Sequence, residues 1–452
     1  PMFHTVIDAL EKSPEITATG TEAEGNLRVM MDLQQLAPKP TSIADTALSP
    51  WLLGDLACKL LAESAVVDMG ELAKKLALPG MVVEELLQRL RAQGRVELSG
   101  RRENSTLLRF NLTERGRTGA AEALQREGYT GAAPVPLAVY EKLITAQSPR
   151  HFPLNHEQID GLFSDTVIDP ALIGRLGPAI HSGRAIFIYG EPGTGKSFIA
   201  RRLQRTLGPP ILLPHALAVG DNIIRYFDPS VHHPLKQERL NQGVHLQQGV
   251  DPRFIWCERP LVVGAGELSM EMLDLQYNAA KRIYAAPLQL KANGGLLIID
   301  DLGRQRIPPA ALLNRWIQPM EERHDQLSLN NGERFRVPFE LSLIFSTNLE
   351  PTALADAAFL RRIGYKVRFR ESTPSEYEQI WRQSCAQLAI AFDRECLDFV
   401  LGELYPEQQI SLLPCHPRDL LQLASDYRRY RGGDSIDQES LRWAWQNYFL
   451  EV

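Results

Sequence analysis

A strand, a glycine-rich loop and a helix follow one another along residues 185–207, and this local order constrains the fold more than any other feature. The apolar run AIFIY is followed by GEPGTGKS at 190–197 and then by the helical pattern FIARRLQRTL. The loop fits G-x-x-x-x-G-K-[ST], in which glycines let backbone N–H groups turn toward phosphate oxygens and the helix N-terminus adds a positive dipole end. Because the strand and the helix are the context that this motif requires, the sequence predicts a phosphate-binding loop.

The residues of this loop form the predicted nucleotide site. Lys196 is placed to reach the β and γ phosphate oxygens, and the hydroxyl of Ser197 is placed to bind Mg²⁺. The full set of predicted contacts is Gly190, Glu191, Pro192, Gly193, Thr194, Gly195, Lys196, Ser197 and Phe198. ATP and Mg²⁺ are therefore the expected cofactors, and the alternative is a glycine-rich turn without a ligand.

Two further apolar runs predict the sheet to which the loop belongs. GLLIID at 295–300 and LSLIFSTN at 341–348 are continuous β-rich stretches, with helical segments between them. Continuous apolar strands that alternate with helices indicate a parallel sheet covered on both faces. From about Thr373 the pattern is helical to the end of the chain. We therefore predict an α/β fold, with a parallel sheet sandwiched by helices, followed by a helical lid domain.

Three helical patterns and two β-like pieces precede this α/β part. The helical patterns begin at Trp51, Met69 and Met81, and the pieces RVELSG and LLRFNLTERGR follow them. Three helices and a two-stranded wing in this order resemble a winged helix. The stretch before Trp51 mixes polar residues, Gly and Pro, which predicts a poorly structured leader.

The composition excludes several classes of protein. A formal net charge of −6 and a pI of about 6.0 argue against a strongly basic nucleic-acid coat or a membrane-surface protein. The five cysteines include no CxxC spacing, so neither a disulfide framework nor a zinc site is indicated. No apolar stretch approaches the roughly 18–20 residues that span a bilayer. We expect a cytoplasmic protein with no membrane span.

The chemistry-bearing motifs after residue 151 arrive in the order found in AAA+ ATPases, and the range 151–430 resembles that family. By this resemblance Asp300 holds Mg²⁺ through water, Asp301 orients or deprotonates the attacking water, and Asn348 senses the γ-phosphate. The family usually has Glu where this chain has Asp301, so the shorter side chain bears on the rate. The alternatives are that Asp301 caps the following loop or helix and that Asn348 caps a strand end.

Two arginine-containing segments also resemble parts of the family. DAAFLRRIGYKVRF at 356–369 looks like the segment that carries the arginine finger, which places Arg361 at the finger and Arg362 beside it. CHPRDLLQL at 415–423 resembles the lid motif in which an arginine, here Arg418, reaches the nucleotide. A finger completes the site of the adjacent subunit, so the resemblance implies a homo-oligomeric ring, most simply a hexamer. The alternatives are a solvated basic helix end and a surface ion pair.

The sequence around the acidic pair indicates a neighbourhood within the family. The stretches at 266–301 and 311–348 look MoxR-like, and the second contains Asn-Asn-Gly at 330–332, which predicts a hairpin turn. Arg304 and Gln305 follow the acidic pair, and their spacing leaves open whether they face a central pore or a subunit boundary. The predicted divisions are a leader at 1–47, a winged-helix domain at 48–125, a linker at 126–153, an AAA+ α/β nucleotide-binding domain at 154–372 and a helical lid domain at 373–452.

Three kinds of work are compatible with such a chain. The first is remodelling of a protein partner, with the winged helix as a docking module; the second is a DNA-directed machine, and the third is an ATP-gated scaffold with little hydrolysis. Residues 51–120 contain 11 Lys/Arg against 9 Asp/Glu, and Glu84 and Glu85 lie near the start of the presumed recognition helix. Carboxylates there would meet the DNA backbone unfavourably, so a protein client is favoured over DNA.

Overall fold

The computed structural model of the chain describes residues 33, 35–63, 67–101, 108–152, 154–235, 249–354, 357–433 and 435–449. The helices are α1 (Pro50–Ala62), α2 (Met69–Leu76), α3 (Gly80–Ala92), α4 (Glu114–Arg126), α5 (Leu137–Ala146), α6 (His156–Phe163), α7 (Pro170–Ser182), α8 (Lys196–Arg202), α9 (Leu288–Lys291), α10 (Pro309–Glu322), α11 (Pro351–Leu354), α12 (Ala357–Arg362), α13 (Pro374–Gln387), α14 (Arg394–Phe399), α15 (Tyr405–Gln408), α16 (His416–Tyr430) and α17 (Gln438–Tyr448). The strands are β1 (Val67–Asp68), β2 (Val96–Arg101), β3 (Leu108–Leu112), β4 (Val135–Pro136), β5 (Ile186–Tyr189), β6 (Ile211–Pro214), β7 (Ala216–Val219), β8 (Asn222–Arg225), β9 (Phe254–Cys257), β10 (Leu261–Gly264), β11 (Gln276–Asn278), β12 (Ile283–Ala285), β13 (Leu296–Ile299), β14 (His324–Ser328), β15 (Arg334–Pro338), β16 (Ser342–Thr347) and β17 (Tyr365–Arg368).

The central sheet consists of five parallel strands in the order β10-β13-β16-β5-β17. Alternate residues of its strands belong to two different cores, because successive side chains of a strand point to opposite faces. Phe187 and Phe345 pack with Trp316 of α10 on one face, whereas Ile188 packs with Ile199 of α8 on the other. The sheet is therefore covered by helices on both faces, which confirms the predicted α/β fold class.

The N-terminal helices α1, α2 and α3 pack beside a small antiparallel sheet in the order β1-β3-β2. Local capping explains where the helices begin. The side chain of Ser49 accepts a hydrogen bond from the amide of Trp51 at the start of α1, and Asp68 accepts one from the amide of Glu71 at the start of α2. The element order is helix, strand, two helices and two strands; the winged-helix interpretation of this module stays a prediction.

Part of the predicted leader is packed in the described residues. Ile43 is 3% exposed and Thr46 is fully buried. The guanidinium of Arg253 donates to the carbonyl oxygens of Thr46 (2.9 Å) and Pro134 (3.1 Å), which ties this segment to the rest of the chain. Residues 35–47 thus differ from the expected poorly structured leader, because Ile43 and Thr46 are buried and a distant arginine donates to the carbonyl of Thr46. The leader residues 1–32 and 34 lie outside the described residues.

The predicted linker at 126–153 contains helix α5, which is part of a hydrophobic core. Tyr140, Leu143 and Ile144 of this helix are at most 1% exposed and pack with residues of β6 and β9. The helix in the predicted linker instead packs into the core of a second module. Its apolar residues became a core face only because strands from far along the chain meet them.

This second module is formed by residues between the phosphate loop and the acidic strand, together with β4, α5 and the hairpin β14–β15. Its main sheet has the order β11-β12-β8-β7-β4. Ala216, Ala218 and Ile223 of β7 and β8 belong to the same core as the N-terminal helices, so the two modules are packed together. The hairpin predicted at residues 330–332 is present, with Gly332 in a left-handed conformation (φ 85°).

The C-terminal helices α13–α17 form a separate core that contains Trp381, Tyr405 and Trp445. Helix α13 begins with a capping box, in which Thr373 accepts from the amide of Glu376 and the carboxylate of Glu376 accepts from the amide of Thr373. Within the described ranges, no helix has the length and apolar character needed to cross a membrane.

Candidate nucleotide site

The phosphate loop joins β5 to α8 and requires glycine at several positions. Gly190, Gly193 and Gly195 have positive φ values of 144°, 82° and 87°. A Cβ on Gly190 would lie 2.3 Å from the carbonyl oxygen of Phe369, and a Cβ on Gly193 would lie 2.7 Å from Sγ of Cys415. The loop is thus held between the end of the central sheet and the segment that precedes α16.

Lys196 is the first residue of α8, and it is 6% exposed. Its Nζ donates to the carbonyl oxygens of Gly190 (2.9 Å) and Glu191 (2.6 Å), both in the phosphate loop. Burial lowers the pKa of Lys196, and the carboxylates of Asp301 and Asp300 oppose this change. An ammonium group held over the loop next to two carboxylates is the arrangement expected for a lysine that contacts β and γ phosphates.

The remaining loop residues differ in their exposure. Thr194 is 5% exposed, and its hydroxyl donates to the carbonyl oxygen of Glu191 (2.7 Å), which stabilises the loop itself. Glu191 and Pro192 are exposed at the tip of the loop. Phe198 is 54% exposed on the first turn of α8, where it presents an aromatic ring to the surface. The predicted contacts therefore include residues that build the loop as well as residues that face outward.

Ser197 and Asp300 come together although they are 103 residues apart. The hydroxyl of Ser197 donates to Oδ1 of Asp300 over 3.1 Å. A hydroxyl and a carboxylate are hard oxygen ligands, and Mg²⁺ in phosphate sites is usually held by one or two carboxylates with substrate phosphates and water. The described residues contain no group of three or more His, Cys, Asp or Glu side chains that could hold a metal. The pair thus fits a Mg²⁺ ion that binds together with a nucleotide.

Asp301 lies beside Asn348 at the carboxyl ends of β13 and β16. The side-chain amide of Asn348 donates to Oδ1 of Asp301 over 3.0 Å, and Asp301 is exposed. The family resemblance implies that Asp301 orients or deprotonates the attacking water and that Asn348 senses the γ-phosphate, and the structure places their side chains in contact. Their catalytic roles stay predictions.

The backbone of Asp301 explains a departure from the family pattern. Its φ of 51° lies in the left-handed region, which L-residues other than Gly rarely adopt and which Asp and Asn tolerate best. Glu lacks this tolerance because its polar group is too far from the backbone for the local hydrogen bonds that Asp makes. The shorter carboxylate at position 301 therefore matches the turn in which it lies.

Gln305 is a site residue whose role the sequence did not reveal. Its Nε2 donates to the carbonyl oxygens of Asp300 (2.7 Å) and Asp301 (3.1 Å), and its Oε1 accepts from the amide of Gly303 (2.9 Å). The sequence did not decide whether Arg304 and Gln305 face a central pore or a subunit boundary. The side chain of Gln305 instead folds back onto the acidic turn, whereas Arg304 is exposed. No spacing rule could have indicated a contact within one irregular turn.

The structure separates the two candidate finger residues. Arg362 pairs with Glu321 at the end of α10, with 2.5 Å between Nε and Oε1. Arg361 is exposed, and its side chain makes no ion pair or hydrogen bond among the described residues. Arg418 is exposed in the first turn of α16, three residues after the Cys415 that lies against the phosphate loop. The start of α16, which contains Arg418, therefore lies next to the phosphate loop.

Arg370 forms ion pairs with both the α/β core and the lid. Arg370, which follows β17, has NH2 3.0 Å from the carboxylate of Asp169 at the start of α7 and 2.8 Å from Glu376 of α13. The backbone amide of Ala171 and the guanidinium of Arg370 hold the pKa of Asp169 below its usual value. The lid is therefore attached to the core through a three-residue ion network as well as through the chain.

A parallel sheet with this strand order, a phosphate loop after β5 and an acidic pair after β13 define an α/β core of the P-loop nucleotide-binding class. The family model that matches the chain, described as a domain of unknown function (DUF8689), covers residues 373–447, which belong to the C-terminal helices. A search of curated proteins finds no match.

Many solved structures share features of this fold. NtrX from Brucella abortus is 13% identical, with a TM-score of 0.39, and the similarity covers 71% of this chain and 66% of that one, just under two thirds of its length. RuvB from Thermotoga maritima, a Holliday junction branch migration motor, is 12% identical with a TM-score of 0.36. The similarity covers 67% of this chain and 74% of the RuvB chain.

Proposed function

We propose that this chain is an AAA+ ATPase that binds ATP with Mg²⁺ and hydrolyses it. The observation that carries the proposal is the pair of hydrogen bonds that the acidic residues after β13 accept, from Ser197 of α8 to Asp300 and from Asn348 after β16 to Asp301, beside the phosphate loop. Ser197 and Asp300 would hold the metal ion, which neutralises charge on the phosphates. Asp301, held by Asn348, would accept the proton of the attacking water.

Two substitutions test this proposal by separating binding from hydrolysis. Lys196→Ala removes the ammonium group that contacts the phosphates, so ATP binding should be lost, as measured by calorimetric titration. Asp301→Asn preserves shape and the tolerance of a left-handed backbone, so ATP should bind while turnover stops. The matched control is Asp160→Asn on α6, an exposed position. Unchanged hydrolysis by Asp301→Asn would show that Asp301 is not the water-orienting group.

We propose that the active form is a ring of identical subunits, most simply a hexamer. Two observations support this: Arg361 is exposed without an ion pair in the described residues, and the Arg362–Glu321 pair holds the end of α12 against α10. An arginine presented in this way can complete a neighbouring subunit's site. The MoxR-like neighbourhood is supported by the β14–β15 hairpin that precedes the Asn348 strand. The cytoplasm is the compartment that we propose for this ring.

We propose that the client is a protein that docks on the winged-helix module, rather than DNA. Glu84 is exposed at the N-terminal end of α3, and the carboxylate of Glu85 accepts from the amide of Ile43 (2.8 Å), so the segment before α1 lies against this end of the helix. Met81, in the first turn of α3, is 57% exposed. An acidic and apolar helix end suits a protein surface better than phosphates.

Binding of the full chain to duplex DNA at two salt concentrations tests this choice of client. Phosphate contacts release counterions, so a DNA-directed machine should bind much more weakly at higher salt. We expect no salt-sensitive binding. If the chain binds duplex DNA with a steep salt dependence, and Glu84→Lys strengthens that binding, the DNA alternative replaces the protein client.

The second candidate is a scaffold that binds ATP but hardly hydrolyses it. It is favoured by the exposed, short carboxylate of Asp301, which reaches less far than Glu. The turnover of the wild-type chain distinguishes the two candidates directly. Sustained hydrolysis that Asp301→Asn abolishes supports the ATPase, whereas tight ATP binding without turnover supports the scaffold.

A further inference from the structure

The turn that carries Asp301 is irregular, and the side chain of Gln305 makes three hydrogen bonds to it. We propose that Gln305 is a positioning residue that fixes this turn and thereby aims the carboxylate of Asp301 at Asn348 and at the attacking water. This inference rests on the proposed ATP hydrolysis, because it concerns how the water-orienting carboxylate is placed. Gln305 itself touches neither the phosphate loop through a hydrogen bond nor, in this proposal, the nucleotide.

The conformation of the turn shows why it needs support. Asp301 has a φ of 51° and Gly303 has a φ of 106°, so two of three consecutive residues adopt left-handed backbone conformations. Left-handed conformations are unfavourable for L-residues and persist where the surroundings determine them. The amide of Arg304 closes the turn by donating to the carbonyl oxygen of Asp301 (3.0 Å). Among the described backbone hydrogen bonds, the carbonyl oxygen of Asp301 therefore has one donor, and the carbonyl oxygen of Asp300 has none.

Two of the described backbone hydrogen bonds attach the turn to the sheet, one at Asp300 and one at Leu302. The amide of Asp300 donates to the carbonyl oxygen of Gly264 at the end of β10 (2.9 Å). The amide of Leu302 donates to the carbonyl oxygen of Ser346 in β16 (2.8 Å), and its own carbonyl accepts from the hydroxyl of Thr347 (2.7 Å). These bonds set where the strand ends, and they leave the carbonyl groups of residues 300 and 301 without a sheet partner.

The side-chain amide of Gln305 supplies a donor to the carbonyl of Asp300 and a second donor to the carbonyl of Asp301. Both donors of Nε2 are used by the carbonyl oxygens of Asp300 and Asp301, and Oε1 accepts from the amide of Gly303. The side-chain amide thus connects Asp300 with Gly303 across the turn, and the carboxylate of Asp301 remains available to accept from Asn348. A glutamine at this place thus determines a backbone geometry on which the Asn348–Asp301 distance of 3.0 Å depends.

The hydrogen bonds of the Gln305 side chain remain within the turn. They join it to residues 300, 301 and 303, and none of the described hydrogen bonds joins it to a helix or to a neighbouring strand. Its loss should therefore change the direction of Asp301 more than the stability of the sheet. A residue with a merely structural role would show the opposite pattern.

The test uses the full chain with Gln305→Leu and the nearly isosteric Gln305→Glu, which keeps an acceptor for Gly303 but loses both donors. We expect kcat for ATP hydrolysis to fall roughly 10- to 100-fold, because a small misplacement of a catalytic group has an effect of this size. The Kd for ADP should stay within about twofold, since the phosphate loop is untouched. Gln318→Leu is the matched control, because the one hydrogen bond of its side-chain amide among the described residues goes to Glu322 on α10, and it should leave kcat unchanged.

A double substitution tests whether Gln305 acts through Asp301. Asn348→Ala removes the other contact that orients this carboxylate. If both residues serve the same carboxylate, Gln305→Leu with Asn348→Ala should lose less activity than the product of the two single effects. Independent, multiplicative losses would overturn the positioning role, and so would a kcat for Gln305→Leu within twofold of wild type.

A structural readout separates failure of this inference from failure of the proposed ATPase. If the wild-type chain does not hydrolyse ATP, the proposed function is overturned. The role of Gln305 is then tested by the crystal structure of the Gln305→Glu variant. Loss of the left-handed conformation at Asp301, with its carboxylate no longer bonded to Asn348, supports the inference. An unchanged turn with the Asn348 contact intact overturns it.

Discussion

Replacing Asp301 by Glu is the most informative single change, because the family pattern and the structure predict opposite results. The family that the sequence resembles usually has Glu at the matching position, so that resemblance alone predicts that Asp301→Glu raises hydrolysis. The structure predicts a loss. Asp301 has a φ of 51° and its carboxylate accepts from Asn348 over 3.0 Å, so the side chain is already at its working distance.

The size of the effect follows from the backbone and from the added length. A left-handed conformation costs an ordinary L-residue about 1–2 kcal/mol, and Asp is partly exempt, so Glu should lower the free energy of unfolding by about 1 kcal/mol. In a domain of 150–250 residues this corresponds to a Tm about 2–4 °C lower. The extra methylene moves the carboxylate by about 1.5 Å, past Asn348. A displacement of this size should lower kcat by roughly 10- to 100-fold.

The assay combines steady-state ATP hydrolysis with thermal unfolding followed by circular dichroism. Asp160→Glu is the matched control, since it makes the same chemical change on helix α6, where the backbone is right-handed and Glu is well tolerated. Asp301→Asn should unfold at the wild-type temperature. Faster hydrolysis by Asp301→Glu at an unchanged Tm would refute the argument that the left-handed turn selects Asp.

Three further predictions concern the ring, the buried ion pair and the lid. Arg361→Ala mixed with Asp301→Asn should regain part of the activity, because subunits with intact fingers would complete sites with intact carboxylates; inactivity at every mixing ratio would place the finger elsewhere, first at Arg362. Arg253→Leu leaves Asp251, which is 3% exposed, without its guanidinium partner, so it should destabilise the chain by about 3–5 kcal/mol in urea denaturation, and an unchanged midpoint would contradict this. Burial lowers the pKa of His416 to about 4 from an ordinary 6.5. The unfolded state therefore binds more protons between about pH 6.5 and 4, so stability is highest above this window and falls as the pH falls through it. His416→Asn should flatten that fall by up to about 1.4 kcal/mol per pH unit, and an unaltered slope between pH 7 and 5 would show that His416 does not cause it.

The parts of the structure that the sequence predicted are those that depend on short-range order. The phosphate loop, its strand and its helix are adjacent in the chain, and their glycines, Lys196 and Ser197 are recognisable from spacing alone. Continuous apolar runs predicted β5, β13 and β16, since strands buried on both faces need apolar residues throughout. Parallel strands bring their carboxyl ends to one edge, so Asp300, Asp301 and Asn348 could be expected to lie near the loop.

Other features depend on partners that are remote in the chain. Residues 35–47 and helix α5 looked like leader and linker because their apolar residues find a core only when β6, β9 and the buried Arg253 reach them. Pairing of this kind joins segments that are remote in the chain, 207 residues apart in the case of Thr46 and Arg253, and no local pattern encodes it.

The acidic turn shows the same division at the scale of single residues. The sequence by itself determined that two carboxylates end a buried strand beside a phosphate loop, because residue type and spacing are sufficient for that conclusion. Only the tertiary structure decided that Asp301 is left-handed, that Asn348 bonds to it and that Gln305 holds the turn. Backbone dihedral angles in this irregular turn depend on hydrogen bonds within the turn and on hydrogen bonds to the neighbouring strands, and the second kind exists only after the sheet has formed.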